Sequence, residues 1–494
     1  MLLKTLLTKT AIEEIVGSPE REITNIAYDS RRVTAGSLFI ALKGQKLDGT
    51  QFIHQAIENG AEAIVTDTAE NNHRVTTIRV PNARKALADL SCAFYRHPAS
   101  KLKLVGVTGT NGKTTTAYLI KHLLEASGLR SSLLGTVRYE IGTRILPASR
   151  TTPEALEIND LLYQSVNAGD RAAVMEVSSH ALSQDRVRGL EFDAAIFTNL
   201  TQDHLDYHKT IQSYFEAKAL LFLQLAEQKR KKGTGIVNID STYGEQLVTR
   251  FEKELRMVTF GFGVAAHFRA TSVNTDANGT SYQLDAEGKS YLVRLPLIGR
   301  FNVYNSLAAL AATRALGLPL RDCVKALSTA PQVPGRLEAV PIKRQFQVYV
   351  DYAHTDDALL NVLRTLRELS PTRLIIVFGC GGDRDRAKRP KMGAVASEYA
   401  DYSIVTSDNP RKEDPETIVG DITGIMRPGK FEIVLDRAEA IFRAIALAKP
   451  RDIVLIAGKG HETNQEFADY IVPFSDVDVV REAVAAQPVK MADL

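Results

Sequence analysis

From Leu102 to Thr116 the chain reads LKLVGVTGTNGKTTT, an order of residue types suited to holding a phosphate. Leu104, Val105 and Val107 supply the apolar run of a short buried strand. Gly106 and Gly109 loosen the backbone, and Gly112-Lys113-Thr114 opens a segment with helical apolar spacing, Thr115 to Leu124. Strand, glycine turn and helix start together present free backbone N–H groups to an anion. Lys113 adds a point charge there, and the Thr114 hydroxyl is placed to reach Mg²⁺. Val107 stands where the usual phosphate-loop pattern has its first glycine, so the stretch is a variant of that pattern.

Further polar clusters sit at the ends of other strand-like runs. Glu176, Ser178, Ser179 and His180 follow Ala172 to Val177, and Asn199, Asp203, His204, Asp206 and His208 follow Asp193 to Phe197. Parallel strands deliver their C-terminal ends to one edge, so these clusters should converge on the phosphate loop. A glutamate, a histidine and the loop threonine are suitable ligands for Mg²⁺ beside a terminal phosphate. Lys218 lies on a helical run among Phe215, Leu221 and Phe222. Its pattern alone reads as a snorkelling lysine; near a metal it has a second reading, as a carbamate that ligates. In the last third of the chain, Asp351, Tyr352, Ala353 and His354 leave a strand directly, and Arg336 precedes them as a candidate arginine finger. The glycine-rich exits Phe378 to Arg384 and Ala457 to Glu462 flank Asp408-Asn409-Pro410-Arg411. Arginine forks for carboxylates and acids for an ammonium suit a small zwitterionic substrate.

These clusters need an α/β scaffold of more than one core. At 494 residues the natural prior is three domains, with boundaries expected at 1–98, 99–330 and 331–494. The first alternates short strands (Glu22 to Ala27, Ser37 to Leu42, Ala63 to Thr66, Val75 to Val80) with helices. The second is a phosphate-loop domain with a mostly parallel sheet, changing to antiparallel hairpins around Asn278-Gly279. The third, after the proline-rich linker Pro331 to Arg336, is doubly wound and Rossmann-like. A net charge of +3 gives no reason to expect nucleic acid or membrane as a partner. Cys92, Cys323 and Cys380 are scattered, which argues against a disulfide framework or a zinc site. Met1 to Ile15 reads as an amphipathic helix without the apolar core of a signal sequence, and no apolar run is long enough to span a membrane. A soluble, cytoplasmic protein is expected.

Taken in order, these motifs resemble the Mur ligases of bacterial cell-wall synthesis, specifically the MurE type. The resemblance runs through Gly109 to Thr114, Thr151 to Glu154, Glu176 to His180, Thr198 to His208, Tyr214 to Phe222 and Gly299 to Asn305. It continues through Gly335-Arg336, Asp351 to Thr355, Gly381 to Arg389, Asp408 to Arg411 and Gly458 to Glu462. It implies an ATP-dependent amide ligase that adds the third amino acid to UDP-N-acetylmuramoyl-L-alanyl-D-glutamate in peptidoglycan precursor synthesis. A monomer is expected, with no nucleic-acid partner. Tyr28, Ser30, Gln45, Lys46 and Leu47 match the nucleotide-sugar contacts, while Arg150, Thr151, Thr152, Ser178, Gln184 and Arg186 match the muramoyl-dipeptide positions. Thr110, Asn111, Gly112, Lys113, Thr114, Thr115, Thr116, Asn199, Asn302, Asn305, Arg336, Asp351 and His354 match ATP contacts. Thr114, Glu176, His204 and a carbamylated Lys218 match the magnesium site, and the match shifts the reading of Lys218 to the carbamate. Lys113, Lys218, His204 and Arg336 are the implied catalytic set.

Asp408-Asn409-Pro410-Arg411 looks like the signature for meso-diaminopimelate, whose distal carboxylate Arg411 would clamp. L-lysine has no such group and would leave Arg411 unpaired. Arg384, Gly458 and Glu462 match the remaining amino-acid positions, with Glu462 suited to the distal ammonium. The competing readings are a lysine-adding ligase, a folylpolyglutamate synthase, and a non-catalytic ATP-binding switch. Three departures from the family pattern are Arg150, Leu337 and Asp356.

Overall fold

A computed structural model describes residues 1–44, 47–69 and 74–487. Three sheets follow one another along the chain. The first has the order β1-β5-β4-β3-β2, built from β1 (Glu14–Val16), β2 (Asn25–Ala27), β3 (Ser37–Ile40), β4 (Ala61–Thr66) and β5 (Thr76–Arg79). Only β1 runs antiparallel to its neighbour. The expected helix over Met1 to Ile15 is a correction: helix stops after Lys9, and β1 pairs with β5 at the sheet edge. Locally, the Thr8 hydroxyl donates back to the Thr5 carbonyl, and Gly17 turns the chain at φ +107°. Ile15-Val16 are β-branched, so an edge strand suits them better than a helix.

The central sheet has eleven strands. These are β6 (Lys103–Thr108), β7 (Ser131–Leu134), β8 (Arg138–Ile141), β9 (Arg144–Pro147), β10 (Ala172–Glu176), β11 (Ala194–Phe197), β12 (Thr234–Asn238), β13 (Arg256–Gly261), β14 (Phe268–Asp276), β15 (Gly279–Ala286) and β16 (Lys289–Leu295). Their order is β16-β15-β14-β13-β12-β11-β6-β10-β7-β8-β9. The middle, β14 through β7, is parallel, and antiparallel hairpins extend both ends. The hairpin around Asn278-Gly279 is the expected one; β7, β8, β9 and β13 were not anticipated. Ser131–Leu134 is only four residues long, too short for its apolar pattern to declare a strand even though Ser127-Gly128 ends the preceding helix. The helices Lys113–Ala126 and Arg300–Ala315 bury Ala117, Leu119, Ile120, Leu307 and Leu310 against each other and the sheet. That packing seats the N-terminus of Lys113–Ala126 at the end of β6.

The third sheet has the order β17-β18-β22-β19-β20-β21. Its strands are β17 (Glu338–Ala339), β18 (Gln347–Asp351), β19 (Leu374–Phe378), β20 (Tyr402–Val405), β21 (Phe431–Ile433) and β22 (Ile453–Ala457), all parallel except β17. A separate hairpin, β23 (Asn464–Glu466) with β24 (Ile471–Pro473), follows it. Arg437 and Asp476, both fully buried, form a two-bond ion pair (2.8 Å each), and Arg437 also donates to the Ala457 carbonyl at the end of β22. Asp476→Ala strands the guanidinium, and is expected to destabilise this region by about 3–5 kcal/mol, read from urea unfolding. Among the described residues, no helix is long and apolar enough to cross a membrane.

Candidate functional site

β6 lies between β11 and β10, so the loops that leave all three strands meet at one sheet edge. Gly109 (φ +145°) and Gly112 (φ +83°) shape the phosphate loop, and neither place accepts a side chain. A Cβ at Gly109 would overlap Thr198 Oγ1, and one at Gly112 would overlap Asn305 Oδ1. The loop after β11 clasps this turn: Asn111 N donates to Asn199 Oδ1 (2.9 Å), Thr110 N to the Asn199 carbonyl (2.9 Å), and Thr198 Oγ1 to the Asn111 carbonyl (2.6 Å). Behind it, Thr116 Oγ1 donates to Asn305 Oδ1 (3.3 Å) and Asn305 Nδ2 to Asn302 Oδ1 (3.0 Å), so both asparagines buttress the loop. Thr115 is buried in the first turn of the helix.

Lys113 Nζ donates to the carbonyls of Gly109 (3.0 Å) and Thr110 (2.8 Å), and burial lowers its pKa. Lys218, fully buried, donates to that same Gly109 carbonyl at 2.7 Å and stands 4.4 Å from the Tyr214 ring centre. Burial first, and then the Lys113 charge, push Lys218 well below the ordinary lysine range. The snorkelling geometry read from pattern alone is therefore not what the structure holds, because the ammonium end is buried.

Thr114 Oγ1 donates to Glu176 Oε2 (3.0 Å), which also accepts from Thr136 Oγ1 (3.0 Å), while Oε1 accepts from Thr136 N (2.8 Å). A hydroxyl and a carboxylate side by side are hard oxygen donors, and they fit a Mg²⁺ ion. His204 contacts Asp203 (Nε2 to Oδ2, 3.5 Å) and, edge to face, His180. Burial pushes its pKa down to about 4, so the imidazole is neutral at pH 7 and has a lone pair to offer. The Thr114–Glu176 pair is thus assembled, while His204 and Lys218 make their contacts elsewhere. Among the described residues no cluster of three or more His, Cys, Asp or Glu is arranged to hold a metal.

The positions matched to the muramoyl dipeptide form one connected strip. Thr151 Oγ1 shares a hydrogen bond with Thr136 Oγ1 (3.0 Å), Thr152 Oγ1 donates to the Glu176 carbonyl (2.8 Å), and Ser178 N donates to Thr152 Oγ1 (3.0 Å). Arg186 reaches the Thr152 carbonyl, Gln184 Oε1 and Glu154, and Arg150 also pairs with Glu154 (2.7 Å). Tyr28 OH donates to Glu157 Oε1 (2.7 Å), tying the first sheet's loop to the central segment, and Ser30 Oγ donates to Gln55 Oε1 (2.7 Å). Leu47 is exposed, and Gln45 and Lys46 lie outside the described residues.

From the C-terminal segment, Arg336 Nη2 donates to Thr114 Oγ1 (3.3 Å), its guanidinium lies 4.7 Å from the Tyr352 ring centre, and its buried Nε has no partner among the described residues. Asp351 spends both oxygens on the backbone N–H groups of Leu337 (2.6 Å) and Ala353 (2.7 Å). It therefore fixes the Arg336 turn and makes no hydrogen bond to the phosphate loop. Leu337 is buried at φ +47° in that turn, and Asp356 opens the helix Asp356–Glu368. Asp357 Oδ2 accepts from Asn111 Nδ2 (3.2 Å), a direct tie from this segment to the phosphate loop. A cleft of about 310 Å³ is lined by Asp203 and His204 on one side and by His354, Arg384, Asp408, Asn409, Arg411, Gly458 and Glu462 on the other. Pro410 joins Asn409 to Arg411 in that wall. A larger cavity, about 530 Å³, lies away from the phosphate loop beside Asp89, which is already paired with Arg188 (3.1 Å). The polar strand exits singled out from the sequence line the smaller one.

Sequence reasoning missed Thr136, on which Glu176 leans, and Asp357, which meets Asn111. Thr136 follows the unanticipated β7 and carries no local motif.

Burial lowers the pKa of His208 and of His461 to about 4 and raises that of Asp351 to about 6. Between pH 6.5 and 4 the unfolded chain binds imidazole protons at His204, His208 and His461 that the folded chain refuses, so stability falls as pH falls. Asp351 acts in the opposite sense below pH 6 and offsets one of these three. The thermal midpoint should therefore drop between pH 7 and pH 5, and less steeply in His208→Gln.

Three family models match: a Mur ligase family, catalytic domain over residues 22–95, a Mur ligase middle domain over 107–313, and a Mur ligase, glutamate ligase domain over 335–460. The chain is 41% identical over 482 residues to the UDP-N-acetylmuramoyl-L-alanyl-D-glutamate--2,6-diaminopimelate ligase of Caldanaerobacter subterraneus subsp. tengcongensis, covering 97% of this chain and 98% of that one. A solved structure of a ligase of that same name superposes with a TM-score of 0.69 at 34% identity, over 96% of this chain and 97% of that one. A MurF ligase from Thermotoga maritima, solved in complex with ADP, shares the fold at 18% identity with a TM-score of 0.61, over 94% and 97% of the two chains.

Proposed function

This chain belongs to the Mur ligase family, and we propose that it is the ATP-dependent ligase that joins meso-diaminopimelate to UDP-N-acetylmuramoyl-L-alanyl-D-glutamate. The observation that carries this reading is the shared cleft: phosphate-loop neighbours form one wall and the Asp408–Arg411 loop the other. Segment 1–98 takes the UDP end, 99–330 the ATP and muramoyl peptide, and 331–494 the amino acid. The likeness to a ligase solved with ADP supports ATP as co-substrate. The protein works in the cytoplasm as a monomer.

A carboxylate is a poor electrophile. The D-glutamate γ-carboxylate oxygen bonds to the ATP γ-phosphorus as the bond to ADP breaks, giving an acyl phosphate. The diaminopimelate amine then bonds to the acyl carbon and loses a proton, and phosphate leaves as the amide forms. Lys113 and Arg336 hold the charge of the transferring phosphoryl group. Thr114 and Glu176, with His204 and a carbamylated Lys218, are the residues to hold Mg²⁺, which neutralises phosphate charge when bound. The depressed pKa of Lys218 supports the carbamate, since only a neutral amine adds CO₂. Packing of Asp357 on Asn111 and of Arg336 on Thr114 closes the site and excludes water from the acyl phosphate. A lysine-adding ligase is the second reading; it would leave Arg411 Nη2 without a carboxylate.

Mass spectrometry of the product tests the proposal. Incubation with ATP, Mg²⁺, the UDP-muramoyl dipeptide and diaminopimelate should add one diaminopimelate less one water. A product carrying lysine in preference, when both amino acids are supplied, would overturn it.

A further inference from the structure

The amino-acid wall of the cleft is held from behind by two residues with no assigned role. Asn409 stands at the centre. Its Oδ1 accepts from Lys459 Nζ (2.8 Å) and from Glu466 N (3.0 Å), and its Nδ2 donates to Glu462 Oε2 (2.9 Å). Lys459 is fully buried, and its Nζ also donates to that Glu462 oxygen (2.8 Å), which leaves Oε1 of Glu462 for a ligand. On the other side, Arg411 Nε donates to Glu466 Oε2 (2.8 Å), its backbone N to the Glu466 carbonyl (3.1 Å), and Nη1 to the Gly382 carbonyl (2.9 Å). Among the described residues, Nη2 is the guanidinium nitrogen left without a protein acceptor. Arg411 sits at φ +52°, a strained backbone for a non-glycine residue, and an isolated backbone bridge to Phe467 holds it there.

We infer that Lys459 and Glu466 are positioning residues that pre-set the subsite for the distal zwitterionic end of the amino acid. The inference rests on the proposed reading that diaminopimelate binds between Arg411 and Glu462. Two ion pairs, Lys459–Glu462 and Arg411–Glu466, share Asn409 and cancel in charge. The subsite is therefore neutral before binding, and it presents one donor, Nη2, and one acceptor, Oε1. A ligand end with one carboxylate and one ammonium satisfies both and adds no net charge; a lone ammonium leaves Nη2 unpaired. The hairpin β23–β24 is the device that presents Glu466, and Gln465 Nε2 fastens it by donating to the Asp408 carbonyl (2.7 Å).

Steady-state phosphate release by the full chain tests this with Glu466→Ala and Lys459→Met. Glu466 is partly exposed (39% at its side chain), so its replacement leaves the core intact even where loss of the buried lysine impairs folding. In Glu466→Ala, the KM for diaminopimelate should rise about tenfold or more, as expected for a lost charge-assisted contact. kcat and the KM values for ATP and the UDP-muramoyl dipeptide should stay within about twofold, and discrimination against L-lysine should narrow. Glu466→Gln keeps an acceptor for Nε, and should fall between the native chain and Glu466→Ala. An unchanged KM for diaminopimelate in Glu466→Ala, or equal rises for all three substrates, would overturn the inference while leaving the ligase reading in place. A native chain that fails to use diaminopimelate would overturn both.

Discussion

Arg336→Ala is expected to lower kcat by about 10³-fold or more while changing the KM values little. An arginine that meets the charge on a transferring phosphoryl group contributes roughly 10³–10⁵ in rate where it has been removed. Three observations support the proposed role of Arg336. Its Nη2 touches Thr114 Oγ1 at the head of the phosphate loop, its buried Nε lacks a partner among the described residues, and its guanidinium is steadied over Tyr352. Asp351 locks the turn by accepting from Leu337 N and Ala353 N, so the fork arrives pre-oriented. Because the contact strengthens as charge spreads over the phosphoryl oxygens, the loss belongs in kcat. Arg336→Lys should recover little, since an ammonium lacks the planar fork. Single-turnover phosphate release measures this directly. A loss confined to the KM for ATP would mean that Arg336 binds the ground state and has no special part in the transfer.

The second large effect is expected at Arg411. Arg411→Ala should lower kcat/KM for diaminopimelate by about 10²–10³-fold, the scale of truncating one member of a desolvated, hydrogen-bonded charge pair. Turnover of L-lysine, which has no distal carboxylate, should change far less, so the preference between the two amino acids collapses. The ATP and UDP-muramoyl dipeptide KM values should hold, because Arg411 contacts Glu466 and Gly382 and neither lies on the phosphate loop. Competition assays with both amino acids present read the ratio without depending on enzyme concentration.

Much of this site was legible before any coordinates, because its chemistry is concentrated in short strand exits. A strand followed by Gly109 to Thr114 has few other uses, and a parallel sheet brings Glu176 and Asn199 to the same edge whatever the details. Asp408 to Arg411 declared itself by composition in the same way. What stayed hidden depends on tertiary pairing. Thr136 matters because both Glu176 oxygens lean on it, yet one threonine after a four-residue strand carries no pattern. Asp351 reads as a nucleotide contact, and the structure gives its oxygens to two backbone N–H groups. Lys218 illustrates the limit most clearly. Its apolar neighbours fit a snorkelling lysine, the family resemblance shifts that reading to a carbamate, and the fold adds that its amine is buried on the Gly109 carbonyl beside Lys113. Glu466 and Lys459 act through Asn409 from a hairpin and a strand exit, and no spacing rule joins them.

The central claim is that ATP cleavage is coupled to joining diaminopimelate to the UDP-muramoyl dipeptide. The most direct measurement is phosphate release by the native chain with Mg²⁺ and ATP, omitting each other substrate in turn and exchanging diaminopimelate for L-lysine. Release that needs both the dipeptide and diaminopimelate, one phosphate per amide formed, with lysine a poor replacement, is the result this account predicts. Release that proceeds equally without an amino acid would contradict it and point to a nucleotide-driven switch.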